Sequence, residues 1–200
     1  VDASTARLAR HYFHAITDAT ATSARNRLWL RPDRIRVAHR GRDRARLGEW
    51  SADRRKRTRA RLGLSESRPL LLTVGRREFQ KGHLDLIRSL PAVVSSIPNA
   101  LLLIAGRSGG AALATDRLIH DLGLNDHVRV LGHRDDAPDL MVAADLFVFS
   151  SLWEGFGGVI AEAMALRLPI VSTDVPEVCE VLGTDSPGPA VIVPIGDSSA

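Results

Sequence analysis

A chain of 200 residues, 44% of them hydrophobic, suffices for one ordinary domain with a real core, or for one domain and a fragment of another. No apolar run approaches the ~20 residues of a membrane span, no charged-then-apolar leader opens the chain, and the single Cys179 rules out an internal disulfide, so a cytoplasmic protein is expected. The net charge of +4 is unevenly spread: residues 25–61 hold fifteen Lys and Arg against four Asp and Glu, and the remainder is mildly acidic.

Residues 1–30 carry a helical-looking stretch at Arg7–Arg10 and a short strand candidate around Ala15–Thr17. His11 and His14 have no further ligands spaced to join them, so they read as surface or core histidines and not as a metal pair. Ile35–Ala38 is strand-like, and residues 51–62 read as a basic helix with Ser51 as N-cap. The basic segment reads first as a solvated linker and helix. The sharper alternatives are an anionic membrane surface or an anionic acceptor. Nucleic acid is not expected, because Trp50 is the only aromatic between Arg31 and Arg61 and base stacking has little support.

From Pro69 onward the pattern is regular. Nearly continuous apolar runs at Leu70–Val74, Leu101–Gly106, Val128–Gly132, Leu146–Phe149, Pro169–Ser172 and Ala190–Val193 predict buried strands. Between them lie helices over about 82–97, 111–122, 137–144, 159–165 and 176–182. The first places Leu84, Ile87, Leu90 and Val94 on one face, and Pro91 is expected to kink or split it. Strands alternating with helices predict an α/β fold with a doubly wound parallel sheet, whose ligands bind at the carboxyl ends of the strands.

Two loops carry chemistry. Gly75-Arg76-Arg77-Glu78-Phe79-Gln80-Lys81-Gly82 leaves the first strand of this series and opens a helix; a guanidinium fork and an ammonium there suit a diphosphate. Glu154-Gly155-Phe156-Gly157-Gly158-Val159 leaves the fourth, with Glu162 just inside the following helix. Its glycines let backbone N–H groups approach an anion, and the two carboxylates, with seven residues between them, suit sugar hydroxyls. Gly106–Gly110 lacks the G-K-[ST] ending of a P-loop and reads as a plain turn. Cys179 reads as a small buried residue.

These two loops resemble the G-R-x-x-x-x-K-G and E-x7-E motifs of the retaining, nucleotide-sugar-dependent glycosyltransferases of the GT-B fold (family 4, glycosyl transferases group 1). Glu162-Ala163-Met164-Ala165 and Leu168–Val171 are similar to the family's E-A-M-A…G-x-P-V-V pattern, with Arg167 where Gly is usual. Thr173-Asp174-Val175-Pro176 to Glu180 resembles the next segment, with Pro176-Glu177 for a common Gly-Gly; Glu177 and Glu180 are expected to be structural or solvated. His39–Asp43 is similar to the interdomain N-G-V-D-type turn, with Arg40 and Arg42 replacing Asn and Val.

The resemblance implies a Rossmann-like doubly wound sheet forming the C-terminal half of a GT-B fold. Residues 1–40 would be the tail of the N-terminal acceptor-side domain and the interdomain segment. Residues 41–200 would be the nucleotide-sugar-binding domain, in a chain that starts and ends as a piece of a longer protein. It implies transfer of a sugar from a nucleoside diphosphate sugar to a sugar, lipid or other hydroxyl acceptor; peripheral association with the cytoplasmic face of a membrane is the further reading for this cytoplasmic protein. Glu154, Arg76 and Lys81 are the expected catalytic residues. Glu162, Gly155, Phe156, Gly157, Gly158, Val159 and Arg134 are the expected donor contacts, the last in the loop Gly132–Asp136 whose backbone meets the base. No cofactor and no metal are expected, since no Asp-x-Asp motif is evident. Non-catalytic binding of a nucleotide sugar, or binding of an anionic surface through residues 25–61, is the alternative. The fragment alone is expected to be inactive.

Overall fold

A computed structural model describes residues 12–183 and 190–199. The helical stretch expected at Arg7–Arg10, and His11, lie outside the described residues. Two sheets are present among the described residues. The smaller pairs β1 (Phe13–Ala15) with β2 (Ile35–Val37) in parallel, joined by helix α1 (Asp18–Leu28). The expected strand at Ala15–Thr17 ends earlier because Thr17 is the N-cap of α1, its hydroxyl accepting from the Thr20 amide. His14 is exposed on β1.

After the short helix α2 (Arg44–Leu47) comes α3 (Ala52–Arg61), capped as expected by the Ser51 hydroxyl on the Arg54 amide. The larger sheet then forms from β3 (Leu70–Val74), β4 (Leu101–Ala105), β5 (Val128–Gly132), β6 (Leu146–Phe149), β7 (Ile170–Thr173) and β8 (Ala190–Val193). All its pairings are parallel, in the order β5-β4-β3-β6-β7-β8. The order reverses between β3 and β6, which places a crevice at their carboxyl ends.

Helices α4 (His83–Ser96), α5 (Ala112–Asp121), α6 (Ala137–Ala143), α7 (Gly158–Ala165) and α8 (Pro176–Leu182) follow their strands. Alternate strand residues divide between two cores, because successive side chains leave opposite faces. Leu70, Leu72, Leu101, Leu103, Phe147 and Phe149 join Leu140 of α6 and Ile160 of α7 on one face. Leu102 and Ile104 join Leu86, Ile87 and Leu90 of α4 and Ile119 of α5 on the other. α4 is not split at Pro91 but runs through it. Its buried Leu86, Ile87 and Leu90 hold the turn before the proline on the sheet, and Val94 packs against the same core beyond it. Leu86 takes the buried place expected of Leu84, which is half-buried.

The basic segment is solvated over most of its length, as expected, but α3 turns some of its arginines inward. Arg59 is fully buried; its Nε donates to the Ser65 carbonyl, and its other nitrogens donate to the carbonyls of Ala143 and Arg68. Arg55 donates to the Ala143 and Ala144 carbonyls at 3.0 and 2.8 Å and pairs with Asp145. Arg54 and Arg61 grip Asp139 at 2.7 and 2.8 Å. Arg55 and Arg59 thus close the carboxyl end of α6, where the helix leaves carbonyls without partners and favours positive charge, while Arg54 and Arg61 hold Asp139 in its first turn. Among the described residues no helix is long and apolar enough to cross a membrane.

Candidate donor-binding site

The loops after β3 and β6, the strands on either side of the reversal, are tied together by their backbones. The Leu152 amide donates to the Gln80 carbonyl at 2.8 Å, Gln80 Nε2 to the Trp153 carbonyl at 2.7 Å, and Ser150 Oγ to the Lys81 carbonyl at 2.9 Å. Gly82 sits at φ +62°, and a Cβ there would overlap the Ser150 carbonyl, so only glycine lets the loops close to this distance.

This contact brings Lys81 and Glu154 together. Lys81 Nζ binds Glu154 Oε1, and Ser151 Oγ donates to the same oxygen at 2.9 Å. The two side chains are 19% and 10% exposed, so the pair is largely shielded from water. Lys81 lays its methylenes on Gly75 and sets its ammonium 5.9 Å from the Phe149 ring centroid. From β7, Thr173 Oγ1 donates to the Ser151 carbonyl at 2.6 Å and fixes the base of the loop.

Of the two arginines after Gly75, only one is free for a ligand. Arg77 is buried and held by Asp116, Ser108 Oγ and the Ala112 carbonyl. Arg76 is 63% exposed and stands 3.6 Å from Glu78. It lines a cleft of ≈ 310 Å³ with Gly75, Gly106, His133 and Arg134, across the carboxyl ends of β3, β4 and β5. Arg134 is clamped by Asp136 through two bonds of 2.7 and 2.6 Å, and its guanidinium holds the Asp136 carboxyl below the usual carboxylate range. The Gly106–Gly110 loop, read in the sequence as a plain turn, contributes Gly106 and Arg107 to the lining of this cleft. Its Gly110 amide is already taken by Glu78 Oε2 at 2.9 Å.

Glu162 lies on the first turns of α7 with Gly158 and Val159, behind Gly157 at φ +65°. A Cβ at Gly157 would come within 2.9 Å of Val178. The expected residues thus fall into three groups: Lys81 with Glu154, Glu162 with Phe156 and the α7 start, and Arg76 with Arg134. Gly155 turns toward the smaller sheet, its carbonyl accepting from Thr20 Oγ1 at 3.1 Å.

One residue of the site was missed by sequence reasoning. Arg42 reaches into the second group, its Nε 2.8 Å from Glu162 Oε1 and 3.1 Å from the Gly158 carbonyl, with the guanidinium 5.5 Å from the Phe156 ring centroid. Its only local signal was a substitution in the interdomain turn.

Two further expectations meet the structure here. Glu180 is structural, as expected: its two oxygens accept from the Asp18 and Ala19 amides, each at 2.8 Å. Asp18, His39 and Glu180 bring ligand-type atoms close to one another, but both Glu180 oxygens serve the first turn of α1. Cys179 is half-buried and not fully enclosed as expected. Its thiol donates to Asp174 at 3.2 Å, and burial together with that carboxylate pushes it up to about 11.

Residues 54–199 match the family described as Glycosyl transferases group 1. The chain is 33% identical over 143 residues to the lipopolysaccharide core biosynthesis mannosyltransferase LpsB of Rhizobium meliloti, covering 70% of this chain and 41% of that protein. It is 30% identical over 182 residues to the alpha-D-kanosaminyltransferase of Streptomyces kanamyceticus, covering 90% and 46%. Among solved structures it resembles Anabaena HepE in complex with UDP and glucose, with a TM-score of 0.83 and 26% identity over 97% of this chain and 52% of that one. The chain thus spans about half or less of the length of each of these relatives. With its parallel sheet, strand order and matched residues, the chain belongs to the glycosyl transferases group 1, and its larger sheet is the Rossmann-like sheet of their GT-B fold.

Proposed function

We propose that this chain is the donor-binding half of a retaining glycosyltransferase that moves a sugar from a nucleoside diphosphate to a hydroxyl acceptor. The observation that carries the reading is the meeting of Lys81 and Glu154 at the reversal of strand order, beside the glycine-led start of α7. Anabaena HepE, similar over nearly the whole chain, has been solved with UDP-glucose, which supports a nucleotide sugar as the donor.

In this reading the bond from the anomeric carbon to the diphosphate breaks, and its electron pair leaves with the phosphate oxygen. The acceptor oxygen bonds to the same carbon and passes its proton to the departing diphosphate oxygen. Negative charge grows on the leaving group, where Arg76, Lys81 and the amides at the start of α7 stabilise it; losing one such donor typically slows turnover by ~10²–10³. Glu154 orients the donor sugar and need not act as a covalent nucleophile. Its Oε1 already accepts from Lys81 and Ser151, and both bonds reduce its nucleophilicity. Glu162 accepts from the ribose hydroxyls, and the loop Gly132–Asp136 that carries Arg134 faces the base. The two cations take the role that a divalent metal would fill.

Residues 1–40 belong, in this reading, to the acceptor-side domain, which agrees with β1, β2 and α1 forming a sheet and helix of their own. Turnover then needs the rest of that domain, and this chain alone is inactive.

The test is the heat of binding of UDP, GDP and ADP, with and without magnesium, to the chain and to its Lys81→Ala/Glu162→Ala variant. Selective binding of one nucleotide that the variant loses supports the reading. Equal binding by both proteins refutes it, and a strict magnesium requirement for turnover of the full-length enzyme refutes the metal-independent part.

A further inference from the structure

Both carboxylates assigned above to donor hydroxyls are engaged by cations: Glu154 by Lys81, and Glu162 by Arg42. The second pair has no counterpart in the motifs that led to the site. Arg42 lies in the connection between the two sheets, and it crosses 116 positions of sequence to reach Gly158.

Its placement is specific. The guanidinium rests on the first turn of α7, against the Phe156 ring, and a Cβ at Gly158 would overlap it. The missing side chain at Gly158 is therefore what admits Arg42. A cation at a helix N-terminus opposes the helix dipole, which favours an anion there. Glu162 and the aromatic face hold the guanidinium in place despite that opposition. Arg42 and Glu162 are each only partly exposed, at 30% and 25%, so their attraction is screened less than that of a surface pair. An anion brought to the same turn would meet the α7 amides and a planar fork whose geometry matches phosphate oxygens.

We propose that Arg42 is a third phosphate-binding cation of the donor site, which exchanges Glu162 for the donor's diphosphate. The exchange frees Glu162 for the ribose hydroxyls, so phosphate and ribose recognition are coupled. A nucleoside without phosphates must break the Arg42–Glu162 pair and offers the guanidinium nothing in return. The inference rests on the donor-site reading above and adds a residue to it.

The test measures, on the full-length protein, binding of whichever of UDP, GDP and ADP the wild type takes, and of the matching nucleoside. Variants are Arg42→Ala, Arg42→Val and Arg42→Lys, with unchanged thermal melts as the check on folding. Arg42→Ala and Arg42→Val are expected to weaken the diphosphate about tenfold, as loss of a charge-assisted bond does, while the nucleoside binds as well as before or better. Arg42→Lys should recover part of the loss, keeping the charge without the fork. Unchanged or tighter diphosphate binding in Arg42→Ala overturns the proposal, because Arg42 would then only compete for Glu162. Loss of diphosphate binding in Lys81→Ala together with no loss in Arg42→Ala defeats this inference alone. No nucleotide binding by the wild type, or none lost in Lys81→Ala, defeats the donor-site reading and this inference with it.

Discussion

Lys81 and Glu154 are separated by 73 positions and meet as a largely enclosed ion pair, because β3 and β6 are neighbours in the sheet although far apart in the chain. Ser151 completes the pair from the same loop as Glu154. Removing one partner of such a pair leaves the other charge buried and uncompensated. Lys81→Ala is therefore expected to destabilise the domain by about 3 kcal/mol in urea melts. The double replacement Lys81→Met/Glu154→Gln should recover most of that stability and still fail to bind nucleotide. Recovery of binding by the double variant would mean that the pair is structural only.

Arg167 adopts φ +58° immediately after α7, where left-handed backbone favours glycine. The helix end around it is a Schellman arrangement, with the Leu168 amide on the Ala163 carbonyl and the Arg167 amide on that of Met164, each at 3.0 Å. An L-residue in this conformation costs roughly 1–2 kcal/mol. Arg167→Gly is expected to raise stability by about 1 kcal/mol in denaturant melts. A lowered midpoint would show that the arginine side chain holds compensating contacts.

The sheet was legible because its inner strands are largely buried on both faces and so read as apolar runs, most clearly in Leu101–Ala105. Lys81, Glu154 and Glu162 were legible because loops at the carboxyl ends of strands compress a site into short local spacings. Arg42 was not, since nothing near residue 42 encodes a partner more than a hundred positions away. Arg55 and Arg59 of α3 were misread for a related reason. Composition counts charge but is blind to the carbonyls of α6 that Arg55 and Arg59 bury themselves to reach. The split that Pro91 allowed is absent because core contacts on either side of it hold the helix to the sheet, which a rule on the local backbone does not weigh.

His83, the first residue of α4, is buried and its Nδ1 has no hydrogen-bond partner. Burial, helped by the nearby charges of Lys81 and Arg77, lowers its imidazole to about 4. The unfolded chain takes up this proton near the ordinary histidine value of about 6.5, and the folded protein resists it until about 4. Stability from this group is thus complete above about 6.5, falls as the pH drops, and has lost about 2 kcal/mol at pH 5. Urea melts from pH 7.5 to 4.5 should show that slope, and His83→Gln should flatten it. An equal slope in the variant would assign the acid sensitivity to other groups.

Glu180 joins the two sheets' surroundings by a single carboxylate. Sitting on α8, it accepts from the first two amides of α1, which a helix cannot satisfy internally. An anion there also complements the helix dipole. Both effects require charge and both oxygens, so Glu180→Gln keeps the shape of the contact and weakens it. That variant is expected to expose the Asp18 and Ala19 amides to hydrogen exchange, with a global loss of about 1 kcal/mol. The six-stranded sheet should keep its protection, because α1 and β1 pack outside it and their loosening leaves the strand ladder intact. Faster exchange spread evenly over both sheets would show instead that the two units unfold as one, with Glu180 a minor part of a larger interface.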